Sequence, residues 1–177
     1  MVLPPLAHLI MTQAPMIAVI GCGNLNRRDD GAGPEVVRAL KAGELGGYAD
    51  DVRLLDAGTD GMGVMFAARG CRSLIVIDAC RSGSEPGAIF EAPGPELASR
   101  YQPSLNLHDF RWDHALHAGR AIFGDEFPDD VVVLLIEAET TALGIGLSPP
   151  VRKAAERVAA RVANLVQERL AVKGAVL

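Results

Sequence analysis

Five consecutive apolar residues, Met16 to Ile20, run directly into G-C-G-N-L-N-R-R-D-D-G-A-G-P, a glycine-rich and doubly acidic stretch from Gly21 to Pro34. Few folds accept such a join. An uninterrupted apolar run this short suits a strand buried on both faces, as in a parallel sheet covered by helices. Gly21 and Gly23 end the strand. Gly33 followed by Pro34 opens a helix, because proline's fixed φ and missing N–H suit the first helical turn. That helix is expected from about Pro34 to Leu45. Ligands of open α/β sheets bind beyond the carboxyl ends of the strands, so Asn24, Asp29 and Asp30 fall where chemistry is to be sought.

The same alternation repeats downstream. Val52 to Ala57 reads as a second buried strand, ending at Asp56 and Gly58, and Thr59 or Asp60 is placed to cap a helix through Met62, Met65 and Phe66. Met62 and Phe66, four residues apart, are the expected core face of that helix. Leu74 to Ala79 is the third strand, with Asp78 at its end; Gly87 to Glu91 suits a short edge strand, and Val131 to Glu137 a β-branched apolar one. Ser148 and Pro149 start a long closing helix, Ser148 as its cap, in which Val151, Ala155, Val158, Val162, Leu165 and Leu170 recur at helical spacing. The segment from Tyr101 to His117 carries three of the four histidines and reads as a loop becoming a helix near His108. The expected fold is therefore a single α/β domain, a doubly wound, mostly parallel twisted sheet of about five strands flanked by helices. It spans 16–172, with 1–15 as a loose N-terminal tail and 173–177 as a C-terminal end.

At 177 residues such a domain buries roughly 70% of the surface its unfolded chain exposes, and it needs no disulfide staples. Cys22, Cys71 and Cys80 form no C-x-x-C pair, and with no recognisable secretory signal they fit a reduced, cytoplasmic compartment. The formal charge of −5 comes with no basic cluster beyond Arg27 and Arg28. Neither a nucleic-acid partner nor a membrane is expected, and proteins or small molecules are.

A dinucleotide site is the first chemistry to test against the glycine-rich turn. G-x-G-x-x-G requires a third glycine where Asn26 stands, and Asp56 falls later than the usual acidic residue about 20 positions on. Two carboxylates would also repel a pyrophosphate. The carboxyl edge of the sheet instead collects Asp29, Asp30, Asp56, Asp78, Glu137 and the candidate His108. For each carboxylate alone the plain reading is a cap or turn former. Several converging at one edge must serve a cation or share a proton, since close like charges raise one another's pKa. Two carboxylates and an imidazole suit zinc, nickel or iron(II) with open positions, or acid/base hydrolysis of a peptide bond; spacing does not separate the two. No H-E-x-x-H or cysteine-rich zinc pattern is present. Cys22 is a weak candidate nucleophile, His114 and His117 share a helix face, and Phe110 and Trp112 are core residues or pocket walls.

Four blocks in order then carry a family likeness: G-C-G-N-L-N-R-R-D-D-G-A-G from Gly21, L-D-A-G-T-D-G-M from Leu55, I-V-I-D-A from Ile75 and L-G-I-G-L-S-P from Leu143. The sequence resembles the maturation endopeptidases of nickel-iron hydrogenases, cytoplasmic enzymes that trim the hydrogenase large subunit. The resemblance implies a triad that probes a metal, here Asp30, Asp78 and His108, with Asp30 and Asp78 also catalytic and Asp56 a further acid/base or orienting carboxylate. It implies no permanent catalytic metal: nickel arrives already inserted in the large-subunit precursor, from which a short C-terminal peptide is then cut. The enzyme is expected to be a monomer when free. The histidine segment here, N-L-H-D-F-R-W-D-H, departs from the S-x-H form of many members, which keeps His114 as the second candidate. A nucleotide-binding protein and a non-catalytic maturation chaperone are the competing readings.

Overall fold

A computed structural model describes residues 16–43, 45–94 and 112–174. Five strands form one sheet: β1 (Ile17–Cys22), β2 (Val52–Gly58), β3 (Ser73–Cys80), β4 (Ile89–Pro93) and β5 (Asp130–Glu137), in the spatial order β2-β1-β3-β5-β4. The first four strands of that order run parallel, with Ile17 opposite both Val52 and Ser73, and Ser73 opposite Asp130. β4 closes the edge antiparallel to β5, Ile89 facing Ile136. The expected doubly wound, mostly parallel sheet is thus present, with one reversed edge strand.

Helices α1 (Ala32–Ala42), α2 (Gly61–Ala68), α3 (Trp112–Phe123) and α4 (Pro149–Gly174) cover both faces. Side chains alternate along each strand, so every central strand feeds two cores. Ile17, Val19, Ile75, Ile77, Leu134 and Ile136 pack with Val36, Val37 and Leu40 of α1 and Val151, Val158 and Val162 of α4. Ala18, Ile20, Leu74, Val76 and Val133 pack on the other face with Val64 and Met65 of α2 and Trp112, Ala115 and Leu116 of α3. This two-sided burial is why β1 and β3 read as unbroken apolar runs rather than alternating ones.

Local details differ from expectation. α1 starts two residues before Pro34 and stops at Ala42, and Leu45 is buried beyond its end rather than within it. Met62 and Phe66 are 44% and 55% exposed, whereas Val64, Met65 and Ala68 form the buried face of α2. The helix reads G-M-G-V-M-F-A-A, apolar nearly all round, so periodicity carries no information on its phase. Phe66 instead lies against Phe123 of α3, ring centroids 5.7 Å apart, with the Arg69 guanidinium 5.0 Å from the Phe123 centroid. Asp60 does cap α2, accepting from the Gly63 N–H at 3.0 Å. Ser148 stands before Pro149 as expected, but its hydroxyl hydrogen goes to Asp29. No described helix is long and apolar enough to cross a membrane.

Candidate active site

The chain leaves β1 through Gly23, whose φ of +130° lies outside the range L side chains favour and where a Cβ would overlap the Asp30 carbonyl. From there it folds back on itself. The Arg27 N–H donates to the Asn24 carbonyl at 2.9 Å, and the Asp30 N–H to the Arg27 carbonyl at 3.1 Å. The Asn24 N–H then donates to Asp30 Oδ2 at 3.0 Å. Asp30 is left half-buried at the mouth of the loop, its carboxylate oriented by the backbone. Gly33 brings the start of α1 directly against β1 and β3, since a Cβ there would overlap the carbonyls of both Cys22 and Ile77. The glycines are filled by the protein's own backbone, which explains their use without a phosphate.

Asp29, its neighbour, turns the other way. It is fully buried and accepts four hydrogen bonds, from the Glu139 and Thr140 N–H groups at 3.0 Å each and from the Ser148 N–H at 2.6 Å and hydroxyl at 2.9 Å. A buried carboxylate with this many donors needs no cation. The expected grouping of Asp29 with the reactive carboxylates is corrected accordingly: it staples the loop after β1 to the loop before α4. Three backbone bonds complete the zipper, Asp29 N–H to Thr140 carbonyl, Arg28 N–H to Gly144 carbonyl and Gly144 N–H to Asn26 carbonyl, at 3.2, 2.9 and 2.9 Å.

Asp78, two residues before the end of β3, is almost fully buried, 6% exposed. Its Oδ1 accepts the Ala79 N–H and its Oδ2 the Trp112 indole N–H, each at 2.8 Å. Asp30 and Asp78 line the same cleft of about 470 Å³, with Asp60, Arg27, Arg81 and Trp112 among its other walls. The cleft lies at the carboxyl ends of β1 and β3, the position expected of a ligand site in such a sheet.

The remaining strand-end acids serve structure nearby. Glu137, 3% exposed, accepts from the Ser82 N–H and hydroxyl, the Gly83 N–H and the Cys80 thiol. The Ser82 N–H above all, with its hydroxyl and the other donors, overcomes burial and holds the Glu137 pKa down to about 2. Glu137 is therefore a loop anchor, correcting its placement among the reactive carboxylates. Burial, reinforced by Glu137, pushes the Cys80 thiol up to about 12, so this cleft-lining sulfur is a neutral thiol at physiological pH. Asp56 is exposed, accepts the Gly58 N–H at 2.9 Å and is absent from the cleft wall. Cys22 is buried and does line the cleft.

His108 lies outside the described residues, as do Asp109 and Phe110. His114 and His117 sit on α3, and neither lines the cleft. Among the described residues no group of three metal-ligating side chains comes together. Arg27, Arg81, Thr141 and Asp60 are cleft residues that sequence reasoning did not single out as such. Asp60 was legible only as a cap, and the others carry no motif. What the cleft offers chemically is a pair of oriented carboxylates, able to bind a cation or to activate water, together with two arginines suited to peptide carbonyls or carboxylates.

The family model described as hydrogenase maturation protease matches residues 34–165. The hydrogenase expression/formation protein HoxM of Azotobacter vinelandii is 32% identical over 165 residues, 92% of this chain and 77% of that protein. The hydrogenase 2 maturation protease of Escherichia coli is 28% identical over 153 residues, 86% of this chain and 91% of that protein. The solved structure of the Escherichia coli hydrogenase maturating endopeptidase HybD is similar with a TM-score of 0.72 at 27% identity, covering 86% of this chain and 93% of that one.

Proposed function

Since the chain belongs to the hydrogenase maturation protease family, a family of peptidases, we propose that it removes a C-terminal peptide from the nickel-loaded large-subunit precursor of a nickel-iron hydrogenase. Nickel is part of the substrate in this reading and is recognised by Asp30, Asp78 and His108. The observation that carries it is the convergence of Asp30 and Asp78, from separate strand ends, on one cleft wall. Carboxylate oxygens with an imidazole form a ligand set suited to a borderline divalent ion. His108 comes four residues before the cleft-lining Trp112 in sequence.

The cleft is mixed in charge, lined by Asp30, Asp60 and Asp78 and by Arg27 and Arg81. That composition fits an extended peptide carrying a cation, the carboxylates taking the ion and the guanidinium groups the peptide's oxygens. A carboxylate of the pair, acting as general base, would activate water for attack on the peptide bond, which makes the enzyme an aspartyl-type endopeptidase in this reading; the cytoplasm is its proposed compartment, on the cysteine usage. Asn26 in place of the third fingerprint glycine, with two carboxylates in the same turn, leaves a nucleotide-binding role without support.

The test is incubation of the purified protein with nickel-loaded and nickel-free precursor, reading intact mass. Loss of a C-terminal peptide from the loaded form alone is expected, and Asp30→Asn should abolish it. Equal cleavage of the nickel-free precursor would remove nickel recognition from the proposal, and binding without cleavage would make the protein a chaperone.

A further inference from the structure

We propose that Trp112 is a positioning residue for Asp78, fixing the plane of that carboxylate at the reacting centre; this rests on the functional reading above. The terminal torsion of an aspartate is broad, so a carboxylate held at one oxygen still swings. The Ala79 N–H restrains Oδ1 at 2.8 Å, but Ala79 follows Asp78 directly in the chain and supplies only a local tether. The Trp112 indole N–H restrains Oδ2 at the same distance from a different element, the first turn of α3, 34 residues away.

That donor is itself immobile. Trp112 is 7% exposed and packs in the core that contains Val76 of β3 and Ala115 and Leu116 of α3. The hydrogen bond leaves no buried indole N–H unpartnered. Trp112 also lines the cleft, so the ring that orients Asp78 borders the space the substrate enters. The indole N–H is committed to the candidate catalytic carboxylate. Partners of this kind orient a site's ligands, and removing them costs about 10- to 100-fold in affinity or activity.

Trp112 is the sole tryptophan, so its indole N–H gives a single resonance in a ¹⁵N-labelled sample. The experiment combines that resonance with kinetics on nickel-loaded large-subunit precursor. The inference expects Asp78→Asn to abolish processing and to move the indole resonance upfield, while Asp125→Asn, on the exposed turn after α3, leaves it in place. Trp112→Phe, which keeps the ring packing and removes the donor, should lower kcat about 10-fold with KM changed less than twofold. An indole resonance unmoved by Asp78→Asn, a Trp112→Phe enzyme with normal kcat, or one affected in KM alone overturns the positioning role and leaves the proposed function standing. Normal processing by Asp78→Asn overturns both. The resonance comparison requires no substitution at Trp112, so it can overturn the positioning role even if Trp112→Phe does not fold.

Discussion

Two adjacent aspartates in the loop after β1 have opposite duties, and the difference lies in where their backbone donors come from. Asp29 is buried under four donors drawn from residues 139 to 148, whereas Asp30 is half-buried with the Asn24 N–H on one oxygen and the cleft beside it. Asp29→Ala strands several buried N–H groups, and the expected cost is about 3 kcal/mol, measured as a lowered urea midpoint. Asp30→Asn should cost less than about 1 kcal/mol by the same measure while abolishing processing. Glu137 makes a prediction in pH. Its folded pKa of about 2 lies below the ordinary 4.5, so its stabilising contribution is complete above pH 4.5 and fades as pH falls towards 2. Thermal midpoints of Glu137→Gln and the wild type should differ most near pH 6 and converge towards pH 2; a constant gap would mean that charge is not what the loop reads.

Among elements, α2 is the instructive one. Its residues announce a buried helix clearly, but an apolar stripe on every side leaves the rotation to be decided by the sheet beneath and by Phe123 across from it. Val64, at 0% exposure, meets the core that Met62, at 44%, was expected to fill. Val64→Ala should therefore cost about 2 kcal/mol and Met62→Ala less than about 0.5 kcal/mol in equilibrium denaturation, the reverse of the order the spacing suggests. The strands were legible for the opposite reason. β1, β3 and β5 are buried on both faces, so their content alone marks them, and parallel pairing follows from the helices between them. β4 was visible as an edge, and its direction was not.

At the scale of the whole molecule, a doubly wound sheet gathers its strand ends at one pole, which is why Asp30 and Asp78 were among the carboxylates expected there, the family resemblance alone singling out the pair. The same rule also gathered Asp29, Asp56 and Glu137, because it specifies where a residue lies and not which neighbour its side chain meets. Sorting them required donors from far along the chain: Ser148 for Asp29, Ser82 for Glu137, Trp112 for Asp78. Arg27 and Arg81 were not assigned to the site because an arginine at a loop end has no sequence signature for a cleft. The staple between Asp29 and Ser148, 119 residues apart, also bears on biosynthesis. A nascent chain that has not yet emerged past residue 148 already carries both Asp30 and Asp78, yet the loop holding Asp30 lacks its brace. The brace on the Asp30 loop thus forms only after residue 148 has been translated, when α4 begins to form.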